Sequence, residues 1–361
     1  MNGTPRQPQE AVASTTVPRI EIAPGYAVSR LLKGGWQLAG GHGAIDRAEA
    51  LDDMARFVDA GITTFDCADI YTGVEELIGD FLRGRRGGVP IQVHTKYVPD
   101  LNTLPTVTRR DVEAAIDRSL ARLGVEQLDL VQFHWWDYAV PRYVDVARWL
   151  DDCRRAGKIA NLGVTNFDSR RLRELVAAGV PLVSNQVQYS VIDRRPATAM
   201  TALCEEAGIQ LLCYGGLAGG FLSDRYRDRP APAEPLDNRS LVKYRLIIEE
   251  FGGWARFQGL LRALHEVATR HGVAIGTVAL RSVLDRPRVG GVIVGARHGR
   301  HLADLQKVAA LALTPGDLAT IAAGQAGSAG PSGDIYELER TPGGAHGSIM
   351  RYTLNAGPAV R

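Results

Sequence analysis

Four side chains of complementary chemistry stand at or just beyond the ends of short apolar runs: Asp66 and Tyr71 in FDCADIY, Lys96 in IQVHTK and His134 in LDLVQFHWW. Together they compose a proton-delivery set. A phenol alone is a weak acid near neutral pH, with an unperturbed pKa of roughly 10. An ammonium beside it favours the phenolate, and a carboxylate beside the ammonium keeps that charge in place. An imidazole within reach can hydrogen-bond to an oxygen that gains charge. Tyr71 as the acid, Lys96 to depress its pKa, Asp66 to hold Lys96 and His134 at the reacting oxygen are what reduction of a carbonyl requires.

Residues this far apart in sequence meet only if the elements carrying them converge. Eight short β-branched or apolar runs recur along the chain: 30–36, 62–67, 91–96, 128–133, 159–164, 182–187, 209–214 and 291–296. Between them lie segments of helical periodicity. One is AEALDDMARFVDAG, closing at Gly61; another is TRRDVEAAIDRSLARLG, opening at Thr108 with an acidic first turn and closing at Gly124. This alternation predicts a parallel sheet wrapped by helices, and eight strands fit an α/β fold of the (β/α)8 TIM barrel type. An open doubly wound sheet is the alternative, but no run is followed by the GxGxxG turn of a dinucleotide-binding βαβ unit. In a barrel the reactive side chains gather at the carboxyl ends of the strands, which is where Asp66, Lys96 and His134 fall.

Two stretches break the alternation. Residues 215–253, after the seventh run, contain PAPAEP and many Gly, Asp and Arg residues; they are expected to form a long loop acting as a lid. Residues 324–361 form a tail in which GSAGPSGD and TPGGAHG separate IYELER from IMRYTLN, and its aromatic and aliphatic clusters predict docking on the barrel. Residues 1–17 are polar and proline-containing and are expected to be disordered, leaving 18–323 as the barrel.

The order of these motifs resembles the aldo-keto reductase superfamily from about Arg30 to about Ala323. The matching pieces are D-x-A-x-x-Y at 66–71, the strand-closing Lys96 and His134, GVTNF at 163–167, NQVQYS at 185–190 and VIVGARHGRHLADL at 292–305. The resemblance implies NADP (NADPH) as hydride donor and an aldehyde, ketone or sugar, or the corresponding alcohol, as small-molecule substrate. It places Thr165, Asn166 and Gln186 at the nicotinamide carboxamide and Tyr214 against the nicotinamide ring. Leu217 and Gly219 of LAGGFL would cross the pyrophosphate, Arg297 and His301 would surround the adenosine 2'-phosphate, Asp304 would meet the adenine, and Gly295 would also border the cofactor. Residues just beyond the strand ends, Trp36, Trp135, Trp136 and Tyr138, are expected to wall the substrate pocket, with one of Trp135 and Trp136 packing outward as scaffold; Trp135 is assigned to the pocket and Trp36 to both cofactor and substrate space. Two departures stand out: Gly215-Gly216 replaces the usual Ser-Pro, and Leu305 replaces an asparagine often found beside the acidic adenine contact.

Composition narrows the alternatives. A net charge of +2 with one compact basic cluster, RGRR at 83–86, gives no footprint for nucleic acid. No apolar run approaches the roughly 20 residues that a membrane helix needs. The four cysteines have no CxxC or CxxH spacing, so the expectation is reduced thiols in a cytoplasmic protein, with no metal site. Cys67, beside Asp66, lacks a dedicated base and is read as structural. Two rival functions remain: a cofactor-binding regulatory subunit with little turnover, against which the complete tetrad argues, and metal-assisted hydrolysis on a barrel, which lacks an HxH pair.

Overall fold

The computed structural model describes residues 17–40, 43, 45–85, 87–295 and 298–355. An antiparallel hairpin comes first, β1 (Arg19–Ala23) and β2 (Tyr26–Ser29), turning at Gly25 with φ 71°. Eight parallel strands follow: β3 (Leu31–Gly34), β4 (Thr64–Asp66), β5 (Gln92–Tyr97), β6 (Leu128–Phe133), β7 (Ile159–Thr165), β8 (Leu182–Gln188), β9 (Gln210–Tyr214) and β10 (Val289–Gly295). They close in sequence order, with β10 pairing back onto β3. Each coincides with one of the eight apolar runs, because a strand covered on both faces reads as nearly continuous apolar sequence.

The outer layer consists of α1 (Arg47–Asp59), α2 (Val74–Gly84), α3 (Arg109–Leu123), α4 (Tyr143–Arg155), α5 (Ser169–Ala177), α6 (Ala199–Ala207), α7 (Arg239–Phe251), α8 (Gly253–His271), α9 (Ile275–Leu284), α10 (Leu302–Ala310) and α11 (Pro315–Gln325). Their starts are chemically marked. Thr108 and Asp111 form a reciprocal capping box on α3, which ends at Gly124 with φ 67°; the Asp46 carboxylate accepts from Glu49 N on α1.

Register stacks the barrel interior in layers. Leu32, Leu130 and Leu212, each 0% exposed, form an apolar floor. Gln132, two residues beyond Leu130 on the same face, belongs to the polar layer above, toward the carboxyl ends. There Gly34 is level with Asp66, Lys96 with Gln132 and Thr165 with Gln186.

The hairpin was not anticipated. It meets the amino-terminal end of the barrel, where Tyr26 Oη lies 3.1 Å from His94 Nε2 and Arg19 Nη2 donates to Gln92 Oε1 at 3.0 Å. Val17, grouped by sequence with the leading segment, is buried in the core at 2% exposure, while residues 1–16 lie outside the described residues.

The segment after β9 is also not simply a loop. Two short 3-10 turns, Ala218–Gly220 and Asp224–Tyr226, lead to α7, whose first turn is capped by Asn238 Oδ1 accepting from Leu241 N at 3.1 Å. Ile247, Ile248 and Phe251 of α7 are at most 1% exposed, packed with Phe257, Leu260 and Ile321. At about 1.5–3 kcal/mol for each fully buried side chain, that face anchors the helix.

Beyond α11 the chain forms α12 (Glu337–Arg340) and α13 (Ala345–Ser348) and runs along the loops at the carboxyl ends of the strands. Ser169 N donates to Asp334 Oδ2 at 2.9 Å, Leu101 N to Tyr352 O at 2.8 Å and Leu354 N to Asp100 Oδ1 at 2.8 Å. Arg195 donates twice to Glu339, at 2.9 and 3.1 Å, with both side chains at most 2% exposed. Burial alone would raise the Glu339 carboxyl, but the hydrogen bonds from Arg195 and the nearby Lys243 ammonium hold it at about 2.

Candidate active site

The end of β4 presents Asp66 inward, and the end of β5 presents Lys96 to it. Lys96 Nζ lies 2.8 and 2.7 Å from the two Asp66 carboxylate oxygens and 2.8 Å from Cys67 O, so its three protons are all engaged. Asp66 Oδ1 also accepts from Gln132 Nε2 at 3.1 Å and Gln186 Nε2 at 2.6 Å, and Gln186 Nε2 lies 3.1 Å from Gln132 Oε1. The ion pair is therefore buried but saturated with donors, which is the condition under which two charges persist inside a protein.

Tyr71 sits in the turn between β4 and α2, with its backbone pinned on both sides: Tyr71 N donates to Ala68 O and Val74 N to Tyr71 O, each at 3.0 Å. Its ring lies 5.4 Å from Lys96 Nζ and meets the edge of Trp36 at 5.2 Å between centroids. Trp36 reaches this place because Gly35 lets two backbones touch; Gly35 N donates to Asp66 O at 2.7 Å, and a Cβ there would stand 2.8 Å from that same oxygen. One expectation needs correction. Lys96 does not depress the Tyr71 phenol: burial first, then the Asp66 carboxylate, pushes it well above its ordinary value of 10. The reason is local neutralisation, since Asp66 absorbs the charge of Lys96. Burial likewise drives the Cys67 thiol well up, leaving it inert.

His134 follows β6 and is 2% exposed. Its Nδ1 lies 3.1 Å from Thr165 O, and its Nε2 is buried without a hydrogen-bond partner among the described residues. Burial, then the Arg340 guanidinium, pulls the imidazole down to about 3, so it is neutral at physiological pH. The edge of Trp136 meets it at 4.3 Å and that of Tyr336, from the tail, at 5.7 Å.

The substrate-wall assignment of Trp135 is overturned. Trp135 is 0% exposed and packs on Phe133 with its Nε1 donating to Val140 O at 3.0 Å, away from the mouth. Two-residue alternation explains this: Gln132, His134 and Trp136 share a face, and Trp135 takes the other. Trp136 is the one that faces His134, held by Nε1 to Pro99 O at 2.9 Å and flanked by Tyr352. Trp36, 39% exposed, lies at the mouth, its Nε1 donating to Ser240 Oγ of α7 at 3.3 Å.

The residues assigned to a cofactor divide into open and closed. Asn166 is half-buried at φ 61°, a strained conformation for a non-glycine residue, and its Oδ1 accepts from Tyr214 Oη at 2.8 Å. Tyr214 is also half-buried, so an aromatic face and an amide stand side by side at the ends of β7 and β9. Thr165 and Gln186 are closed: the Thr165 hydroxyl donates to Gln186 O at 3.2 Å, and the Gln186 amide is spent on Asp66 and Gln132. Leu217 is half-buried and Gly219 and Gly295 are exposed along the same rim. Arg297 lies outside the described residues. His301 is exposed and accepts from Arg300 Nε at 3.2 Å, and Asp304 is paired with Lys307 at 3.5 Å. Two carboxylates face that loop, with His298 Nδ1 3.3 Å from Glu49 and 3.8 Å from Asp53.

Four residues that sequence reasoning missed join the site. Gln132 supports Asp66. Lys243 of α7 places its ammonium 5.0 Å from the Tyr214 ring, 5.4 Å from Tyr336 and 4.0 Å from Glu339. Tyr336 borders His134. Arg340 donates to Trp135 O at 2.9 Å and Asn166 O at 2.8 Å, tying the tail to the ends of two strands.

Comparison with known proteins bears on what this geometry is for. A family model described as the Aldo/keto reductase family matches residues 30–325. The chain is 30% identical to flagellar radial spoke protein 5 of Chlamydomonas reinhardtii over 301 residues, covering 66% of this chain and 56% of that protein. It thus spans little more than half of that relative's length. It is 27% identical to the aldo-keto reductase YhdN of Bacillus subtilis, covering 81% of this chain and 88% of the other. Among solved structures, the glycerol dehydrogenase of Gluconobacter oxydans shares the fold with a TM-score of 0.73 at 23% identity, over 90% of this chain and 98% of that one.

Proposed function

The chain belongs to the aldo/keto reductase family, and from that premise we propose an NADP-dependent oxidoreductase that interconverts an aldehyde or ketone with its alcohol, Tyr71 moving the proton. The observation that carries this reading is the Asp66–Lys96 pair, closed at 2.7 and 2.8 Å beside the Tyr71 ring. That pair fixes the polar floor of the mouth, and the raised Tyr71 phenol stays protonated at neutral pH, the form that donates to a carbonyl oxygen.

A nicotinamide cofactor fits the open residues. Asn166 offers a positioned amide and Tyr214 an aromatic face, each half-buried and joined by their own hydrogen bond. Bound there, the reduced cofactor supplies the hydride. Thr165 and Gln186 contribute indirectly, by holding the ends of β7 and β8 in register. We assign Leu217, Gly219 and Gly295 to the cofactor rim, and Arg297, His301 and Asp304 to its adenosine end. Trp36 and Trp136 wall the substrate space, and aromatic walls accept aryl, alkyl and sugar faces alike.

A cytoplasmic setting accords with four buried, unpaired cysteines. No helix among the described residues is long and apolar enough to cross a membrane.

The test is NADPH consumption against a panel of aldehydes, ketones and sugars, with wild type and Tyr71→Phe. The variant should bind NADPH normally, by quenching of protein fluorescence, while losing at least ~100-fold in kcat, the scale of general acid catalysis. Wild-type turnover in Tyr71→Phe would remove Tyr71 from its role.

A further inference from the structure

We propose that Glu49, Asp53 and His298 form a binding site for one divalent cation of the zinc class, which clamps the loop after β10 onto α1. The proposal stands on this cluster and is independent of the oxidoreductase reading above.

Glu49 and Asp53 lie four residues apart on α1, so they share one face of the helix. His298 belongs to the loop that leaves β10. Its Nδ1 stands 3.3 Å from Glu49 Oε1 and 3.8 Å from Asp53 Oδ2, and the three atoms all lie within 4.8 Å of one another. In a tetrahedral zinc site, bonds of about 2.0–2.2 Å set neighbouring ligand atoms roughly 3.3–3.6 Å apart. One ion therefore fits between the three with little movement. Water completes its coordination on the side where the Glu49 side chain is 60% exposed.

The second observation is an unmet oxygen. The Asp53 side chain is 5% exposed; its Oδ1 accepts from Gly299 N at 3.0 Å and faces Arg56 Nη1 at 3.7 Å. Oδ2 is buried with no hydrogen-bond partner among the described residues, and His298 at 3.8 Å is too distant to donate to it. Buried acceptors are almost always satisfied, so an orphan between two further ligand atoms points to an ion. Two cations temper the charge of Asp53 without meeting that oxygen: Arg56, which also reaches Asp52 at 3.2 Å, and Lys33, which bears on Asp53 electrostatically. The Gly299 bond orients the carboxylate, as outer partners orient metal ligands. A Cβ on Gly299 would stand 2.9 Å from Asp53 Oδ1, so the loop already presses against α1 at this point.

The donor set selects the ion. An imidazole nitrogen with two carboxylates suits zinc and neighbouring first-row ions, whereas calcium and magnesium prefer oxygen alone. The ion takes the Nδ1 lone pair of neutral imidazole, so a proton is its competitor there. Without the ion, the two carboxylates confront the loop uncompensated.

The test uses tag-free, full-length protein stripped with a chelator and titrated with Zn2+ by calorimetry. One Zn2+ per chain should bind, and excess Mg2+ should not compete. Glu49→Gln and His298→Ala should each weaken the affinity at least ~10-fold, the loss reached by mutating even an outer partner of a metal ligand, with circular dichroism unchanged. His265→Ala, whose ring lies 3.5 Å from Asp224 elsewhere on the surface, should bind as wild type does. Absence of stoichiometric binding would overturn the proposal and leave a proton on His298 to serve the carboxylates. Undiminished binding in His298→Ala would overturn it by placing the ion elsewhere, and displacement by Mg2+ would overturn the zinc class. No cofactor or substrate is present in the titration, so its result is separate from whether any carbonyl is reduced.

Discussion

Replacing Glu339 by alanine should release the tail from the mouth of the barrel, and the size of the effect can be worked from the buried ionic chain Asp193–Arg195–Glu339–Lys243. Arg195 Nη2 lies 2.7 Å from Asp193, Arg195 donates twice to Glu339, and Lys243 Nζ stands 4.0 Å from Glu339. A carboxyl held at about 2 instead of its ordinary 4.5 corresponds to roughly 3 kcal/mol at neutral pH, at about 1.36 kcal/mol per pH unit. Removing one partner from a buried ion pair costs about 3–5 kcal/mol by an independent measure, because the stranded charge keeps its desolvation penalty. The two figures agree. The folded carboxyl is depressed, so its contribution is complete above the unfolded value of 4.5 and is lost as pH falls from there through about 2.

Lys243 and Arg195 can regain water if residues 334–355 lift away, so the cost should appear as local opening before global unfolding. Hydrogen exchange in Glu339→Ala should therefore quicken across residues 334–355 and α7 while β5 to β8 keep their protection. Wild type brought to about pH 3 should show the same pattern in milder form. Unchanged protection of the tail at neutral pH in Glu339→Ala would refute the reasoning, because the ionic chain would then not be what holds the tail.

The strands were legible for a physical reason. A barrel strand has helices on one side and the barrel interior on the other, so runs such as LDLVQF stand out against amphipathic neighbours. Tetrad positions were legible because strand ends are where a barrel displays reactive groups. The exchange of Trp135 for Trp136 could have been avoided, since counting in twos from Gln132 through His134 gives the parity. Helix α7 was hidden by punctuation. Its apolar residues Leu241, Tyr244, Ile248 and Phe251 recur at three and four, but PAPAEP before it and Gly252-Gly253 after it carried the greater weight. Tyr336, Glu339 and Arg340 had no local signature. Arg195 lies 144 residues from Glu339, and Asn166 lies 174 residues from Arg340, across chain segments that only the fold brings together. The predicted fall in the Tyr71 pKa failed differently: the right residues were named, but Gln132, Gln186 and Cys67 O close the Asp66–Lys96 pair into a neutral unit, which sequence cannot show.

Three further tests separate structure from chemistry at this site. Lys96→Met should abolish most turnover and destabilise the fold by ~3–5 kcal/mol through the stranded Asp66 carboxylate. Asp66→Asn with Lys96→Met should then recover stability by urea titration but not activity, and recovery of both would make the pair merely structural. Glu49→Gln should tighten NADPH by about 2- to 5-fold, the scale of one exposed charge interaction, and leave NADH unchanged, because a carboxylate 3.3 Å from His298 repels a 2'-phosphate on that loop. Equal shifts for the two cofactors, in a fluorescence titration, would place the phosphate elsewhere. Finally, the pH profile of carbonyl reduction follows from the two ionisations that the site suppresses. His134 is held at about 3, far below its ordinary range near 6.5, so it stays neutral across physiological pH and should contribute no inflection there. Tyr71 must be protonated to donate and its phenol is pushed above 10, so kcat/KM should run flat through neutrality and fall only on the alkaline side, as the acid is lost. An inflection near pH 6.5 that disappears in His134→Leu would mean that the imidazole titrates in the working enzyme, and that Arg340 and burial do not control it.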